Sequence, residues 1–170
     1  MALYKDVVKA FLTLLKYAVL SHLENEYPTI NAFSGFEKPE KGSERELRSQ
    51  KGEPREWVSF PFNGYVFWDL HLGIVLKKKS NRVVVGLHIS KKIWPTLQEK
   101  VTTIPWDNYP PLRPTYLEKE ELNEHRFEEP EISFDVKNIG EVLQEVINKT
   151  TIYYRAVSKS LDSQRSYRTA

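Results

Sequence analysis

The sequence predicts an α+β fold in one domain, an antiparallel β-meander packed by an N-terminal helix and a C-terminal helix. Three observations carry that prediction. Apolar side chains recur at helical spacing over residues 3–24, alternate with period two over residues 57–90, and return to helical spacing over residues 139–161. A chain of 170 residues with 40% hydrophobic content can bury one proper core and is short for two.

In the first helix Leu3, Val7, Phe11, Leu14, Leu15, Ala18 and Leu23 share a face, while Lys5, Lys9, Thr13 and Lys16 mark a narrow polar edge. Val8, Leu12, Val19 and Leu20 widen the apolar arc. A helix of this kind is expected to be buried on two sides, between the sheet and another helix; the alternative is a homodimer contact through this helix. Lys16 and Asp6 interrupt the apolar run, which is too short to span a bilayer. No small-residue cleavage pattern follows it, so a soluble, cytoplasmic protein without a membrane partner is expected.

Residues 33–56 turn polar and rich in Gly, Pro and charge, which predicts a mobile loop holding a short helix around Glu44 to Gln50. Next comes the meander. Asn63-Gly64 is the dipeptide suited to a type I′ turn, so Trp57 to Phe62 is expected to pair with Tyr65 to Leu70. The second turn lies within Lys77 to Arg82. One face then collects Leu70, Leu72, Ile74 and Leu76 with Val83, Val85, Leu87 and Ile89, and one register that aligns these sets, with a four-residue loop Lys78 to Asn81, puts His71 opposite His88, Gly73 opposite Gly86 and Val75 opposite Val84. The other face has a glycine floor beside two histidines. Carrying the pattern back through Asn63-Gly64 adds Phe60, Phe62, Tyr65, Phe67 and Asp69 to it, as an aromatic-walled recess for a helix of the same chain or for a ligand.

Beyond the meander, Lys91 to Val101 is expected as a short helix with Pro95 in its first turn. Ile104 to Pro114, with Trp106, Tyr109 and Pro110-Pro111-Leu112-Arg113-Pro114, reads as a strap across the surface. Residues 118–131 carry seven glutamates and read as a solvated acidic face. Glu131 to Val136 alternates as a strand, and Asn138 with Glu141 opens the last helix. Its stripe, Ile139, Val142, Leu143, Val146 and Ile147, can continue through Thr150, Tyr154, Val157 and Leu161 as one long helix, with a strand over Thr151 to Val157 as the alternative, and a frayed basic tail is expected after about residue 162.

The balance of 25 basic and 23 acidic side chains announces no nucleic-acid or membrane partner through a global field, so charge must be argued locally. The absence of cysteine excludes disulfides, thiolate metal sites and thiol nucleophiles. No dinucleotide, P-loop, zincin or serine-hydrolase motif occurs.

Three constellations remain. Asp69, His71 and His88 on one face are residue types that can ligate a divalent metal or share general-base work. Asp135-Val136-Lys137 has the local form of a carboxylate-lysine nuclease, with Asp69 as its only partner acid. Lys77, Lys78, Lys79, Arg82, Lys91 and Lys92 lie at or beyond the hairpin ends with no acid between Leu70 and Gln98, a concentration suited to phosphate. Phe60, Phe67, Asp69, His71 and His88 would then receive a base or similar planar group.

The expected function is a nucleic-acid-binding module without catalysis or cofactor. The alternatives are a protein-interaction or inhibitor module acting through the acidic and proline-rich segments, and a metal-dependent nuclease or hydrolase. The layout of a helix, an aromatic meander, a later strand and a terminal helix resembles the N-terminal DNA-binding domains of McrB-type restriction proteins. That likeness is one of layout over about half the chain, and no residue's role is carried over from it.

Overall fold

A computed structural model describes residues 2–36, 55–77 and 80–169. Among these residues it is an α+β arrangement of three helices on one seven-stranded antiparallel sheet. The elements are α1 (Ala2–Leu23), β1 (Phe33–Phe36), β2 (Arg55–Pro61), β3 (Leu70–Lys77), β4 (Arg82–Ser90), α2 (Trp94–Thr102), β5 (Thr115–Lys119), β6 (Glu124–Glu128), β7 (Ile132–Ser133) and α3 (Ile139–Thr169). The strand order is β1-β2-β3-β4-β6-β5, with β7 on the free end of β4. No helix among the described residues is long and apolar enough to cross a membrane.

Period two decides the centre of the sheet. Leu70, Leu72, Ile74 and Leu76 of β3 and Val83, Val85, Leu87 and Ile89 of β4 are all buried beneath the helices. His71 pairs with His88, Gly73 with Gly86 and Val75 with Val84, across a turn that Asn81 closes at φ 52°. α1 meets this layer with Val8, Phe11, Leu15, Val19 and Leu23, and α3 with Val146, Tyr153 and Val157. Arg155 of α3 pairs with Glu26 just after α1 at 2.8 Å, and Tyr27 packs edge-on against Tyr154. The expected second buried side of α1 is absent over Leu14 and Tyr17, which are exposed.

The Asn63-Gly64 hairpin does not form. β2 ends at Pro61, which pairs with His71, so the connection runs through residues 62–69 and only Gly64 in it takes positive φ. The competing interaction is tertiary: Phe62 stacks on Tyr154 at 4.5 Å, and the Tyr154 hydroxyl donates to the Pro61 carbonyl at 2.7 Å. The longer loop changes the parity of β2. Phe60 therefore lies on the helix side, paired with Leu72 and fully buried, instead of on the face of His71 and His88.

Phe33 to Phe36, read as loop, is edge strand β1 paired with β2. The expected short helix at residues 44–50 lies outside the described residues. The acidic run is not a bare solvated face: it builds the β5–β6 hairpin, turned by Glu120–Leu122 and by Asn123 at φ 52°. In β6, Glu124, Arg126 and Glu128 share one face while His125 and Phe127 take the other, an alternation concealed by the acidic composition. The strand expected to reach Val136 stops at Ser133. Phe134 packs on Phe11 at 5.8 Å, and the Asp135 carboxylate accepts the Lys137 and Asn138 amides at 2.8 and 3.0 Å, an Asx turn leading into α3. α3 is one continuous helix to Thr169, and Pro95 does sit in the first turn of α2.

Candidate functional site

All three helices pack on one face of the sheet, α2 through Trp94, which stacks on His125 at 4.1 Å and lies near Phe127. The opposite face carries Phe33 from β1, Trp57 and Ser59 from β2, His71 and Gly73 from β3, Gly86 and His88 from β4, and Arg126 from β6. Rings form a continuous track there. Phe67 is 4.6 Å from Phe33, 6.0 Å from Trp57 and 5.0 Å from His71, and His71 is 4.8 Å from His88.

Phe67 reaches this face from the loop, held by a turn in which the Asp69 and Leu70 amides donate to the Val66 carbonyl at 2.9 and 3.1 Å. Gly86 answers local crowding, whereas a side chain on Gly73 would make ordinary contact. A Cβ on Gly73 would stand 3.4 Å from the His88 ring, and one on Gly86 would stand 3.0 Å from Glu128 Cγ. The glycine floor is thus overlaid by the protein's own imidazole and carboxylate side chains.

The protonation of the histidine pair follows from its acceptors. The Phe67 carbonyl, 2.8 Å from His71 Nδ1, can only accept, so Nδ1 carries the proton. Burial lowers the His71 pKa, against the opposing pull of that hydrogen bond, and favours the neutral ring. Its Nε2 then accepts from His88 Nδ1–H at 3.0 Å. Both nitrogens of His71 are used within the fold. Asp69 does not join them: its carboxylate accepts the Ser90 hydroxyl at 3.0 Å, and its carbonyl accepts the Ser90 amide at 2.8 Å. Among the described residues no group of three His, Asp or Glu can hold a metal ion.

Asp135 belongs to the other end of β4, where the Phe134 amide donates to the Asn81 carbonyl. Asp69 sits beside Ser90, so at ~3.3 Å per residue the two acids stand about 30 Å apart. The carboxylate-lysine arrangement is therefore not assembled.

The cations do not form one cluster either. Lys77 and Arg82 both pair with Glu131, Arg82 at 2.8 Å, and these hydrogen bonds, that of Lys77 first, hold the Glu131 carboxyl below its ordinary value. Lys78 and Lys79 lie outside the described residues. Lys91 and Lys92 are exposed at the opposite end of β4. Arg126, buried, lies between Glu124 at 2.8 Å and Glu128 at 3.3 Å.

Two residues the sequence reading passed over matter here. Trp68, in the turn before β3, is 73% exposed. Arg126 was hidden in the acidic run, where the i, i+2 pattern of Glu124, Arg126 and Glu128 was the available strand signal. Comparison with protein-family models, curated proteins and solved structures finds no match to this chain.

Proposed function

We propose that this protein is a non-catalytic nucleic-acid-binding module that stacks a base on the sheet face away from its helices. One observation carries the reading: the ring track from Phe33 through Phe67 to Trp57 and His71 lies on that face, with Phe33 still 41% exposed at its end. Aromatic rings on a sheet whose described helices lie behind it make a stacking platform, and base stacking contributes about 1–3 kcal/mol per base. His71, braced by His88, clamps the Phe67 backbone and so positions the ring.

The rival readings draw less support from the fold. Glu124, Glu128, Glu129 and Glu131 are all engaged in internal ion pairs, and the proline strap is anchored by buried Leu112 and by Trp106 on Tyr153. The acids expected for metal-assisted hydrolysis are hydrogen-bonded to their own surroundings at opposite ends of β4. The test is binding of labelled single- and double-stranded DNA and RNA at two salt concentrations, with Phe33→Ala beside the parent protein. Salt-sensitive binding weakened by Phe33→Ala is expected; no binding at low salt rejects the reading.

A further inference from the structure

Resting on that reading, we infer that the nucleic acid is single-stranded and is held at the Trp68, Lys91 and Lys92 end of the sheet, away from the lysine-rich turn after β3. The backbone places these residues together. Beyond the β3–β4 ladder one further bond, Ser90 N–H to Asp69 O at 2.8 Å, ties the two segments together, and Trp68 and Lys91 are the chain neighbours of that bonded pair, each in a turn. Both sides are held. The Val66 carbonyl fixes the turn that carries Trp68, and the Lys91 amide donates to the Asn123 carbonyl at 2.8 Å. That end of the sheet therefore carries Trp68, 73% exposed, together with exposed Lys91 and Lys92, and exposed Val66 adds apolar surface.

An exposed indole offers a whole π-face, and a base can meet it only when neither neighbour in a duplex covers that base. Charge points the same way. Tight duplex binders neutralise about six to ten phosphates, whereas this end brings two exposed lysines, and Lys77 and Arg82 are already held by Glu131. Lys91 also lines a cavity of about 300 Å³ with Lys119, Glu118 and Glu120, whose carboxylates hold the salt dependence below the full two-lysine value. Stacking therefore supplies most of the affinity and phosphate contact a minor part.

The test uses the full chain with fluorescein-labelled single-stranded DNA, single-stranded RNA and a duplex of equal length. Single strands of either sugar should bind more tightly than the duplex, and the two arms show which sugar is preferred. Trp68→Ala should weaken single-strand binding roughly 5- to 150-fold, while Trp68→Phe retains most of it. Lys91→Glu with Lys92→Glu should reduce the slope of log affinity against log salt by up to about 1.4, and Lys77→Met should leave it unchanged. Equal binding of duplex and single strand, or Trp68→Ala and lysine variants that bind like the parent, overturns this inference and leaves the nucleic-acid reading standing. No binding of any oligonucleotide by the parent protein ends both.

Discussion

Replacing Lys149 with Met isolates the Glu129 carboxylate, the most deeply buried charge among the described residues. Lys149 lies 3.5 Å from Glu129 Oε1 and 3.5 Å from Glu145, and the Glu129 side chain is 1% exposed. Glu129 Oε2 accepts the Arg113 amide at 2.7 Å, which ties the proline strap to the core, while Oε1 has no hydrogen-bond partner and depends on the Lys149 charge. With an effective dielectric near 20, two charges at 3.5 Å attract by about 5 kcal/mol. Glu145 is 47% exposed, so water screens its share to about 1 kcal/mol or less.

Lys149→Met should leave a buried, uncompensated carboxylate and destabilise the protein by about 3–5 kcal/mol. For a domain of this size that lowers the Tm by roughly 6–20 °C. The pair Glu129→Gln with Lys149→Met removes both charges and keeps an acceptor for the Arg113 amide, and it should recover most of the loss. Urea unfolding and thermal scanning of the parent, the single and the double variant decide the matter. A single variant as stable as the double would refute the argument, because the carboxylate would then have found solvent without Lys149.

Phe60→Ala should destabilise by about 3–5 kcal/mol because the ring is fully buried beneath the helices, and oligonucleotide affinity per folded molecule should be unchanged; urea titration and fluorescence anisotropy read the two effects. His71 has a lowered pKa, so the folded state takes up fewer protons than the unfolded chain. The stability it contributes is complete above about 6.5, its ordinary value, and falls as pH drops below that toward the folded value. Urea unfolding between pH 8 and pH 5 should show this decline and His71→Asn should flatten it; an unchanged pH profile in the variant would reject the neutral-ring assignment. Glu131→Gln breaks the pairing with Lys77 and Arg82 at the end of the sheet away from Trp68, and should leave the salt slope of oligonucleotide binding unchanged; anisotropy at several salt concentrations measures it, and a steeper slope would put phosphate at that end instead.

The candidate face was half legible before folding was considered. The β3–β4 pairing, the two opposed glycines and the histidine pair could be read because Leu70 to Leu76 and Val83 to Ile89 each alternate, and a buried face admits only registers that keep both sets together. Phe60 and Trp68 could not be placed by the same means. Their faces depend on how many residues join β2 to β3, and Asn63-Gly64 offered a short turn that the folded protein does not use.

What the sequence alone determined is what local periodicity encodes: α1, α3, the central hairpin and the helix-facing core of leucine and valine. Tertiary structure decided where charges and rings finally stand. Glu131 returns from β7's end to neutralise Lys77 and Arg82, Phe62 leaves the expected hairpin to stack on Tyr154, and Trp68 is left exposed next to the Asp69–Ser90 bond. The reason is range. Alternation is a property of neighbouring residues, whereas an ion pair or a ring stack between distant segments exists only after the whole sheet has been assembled.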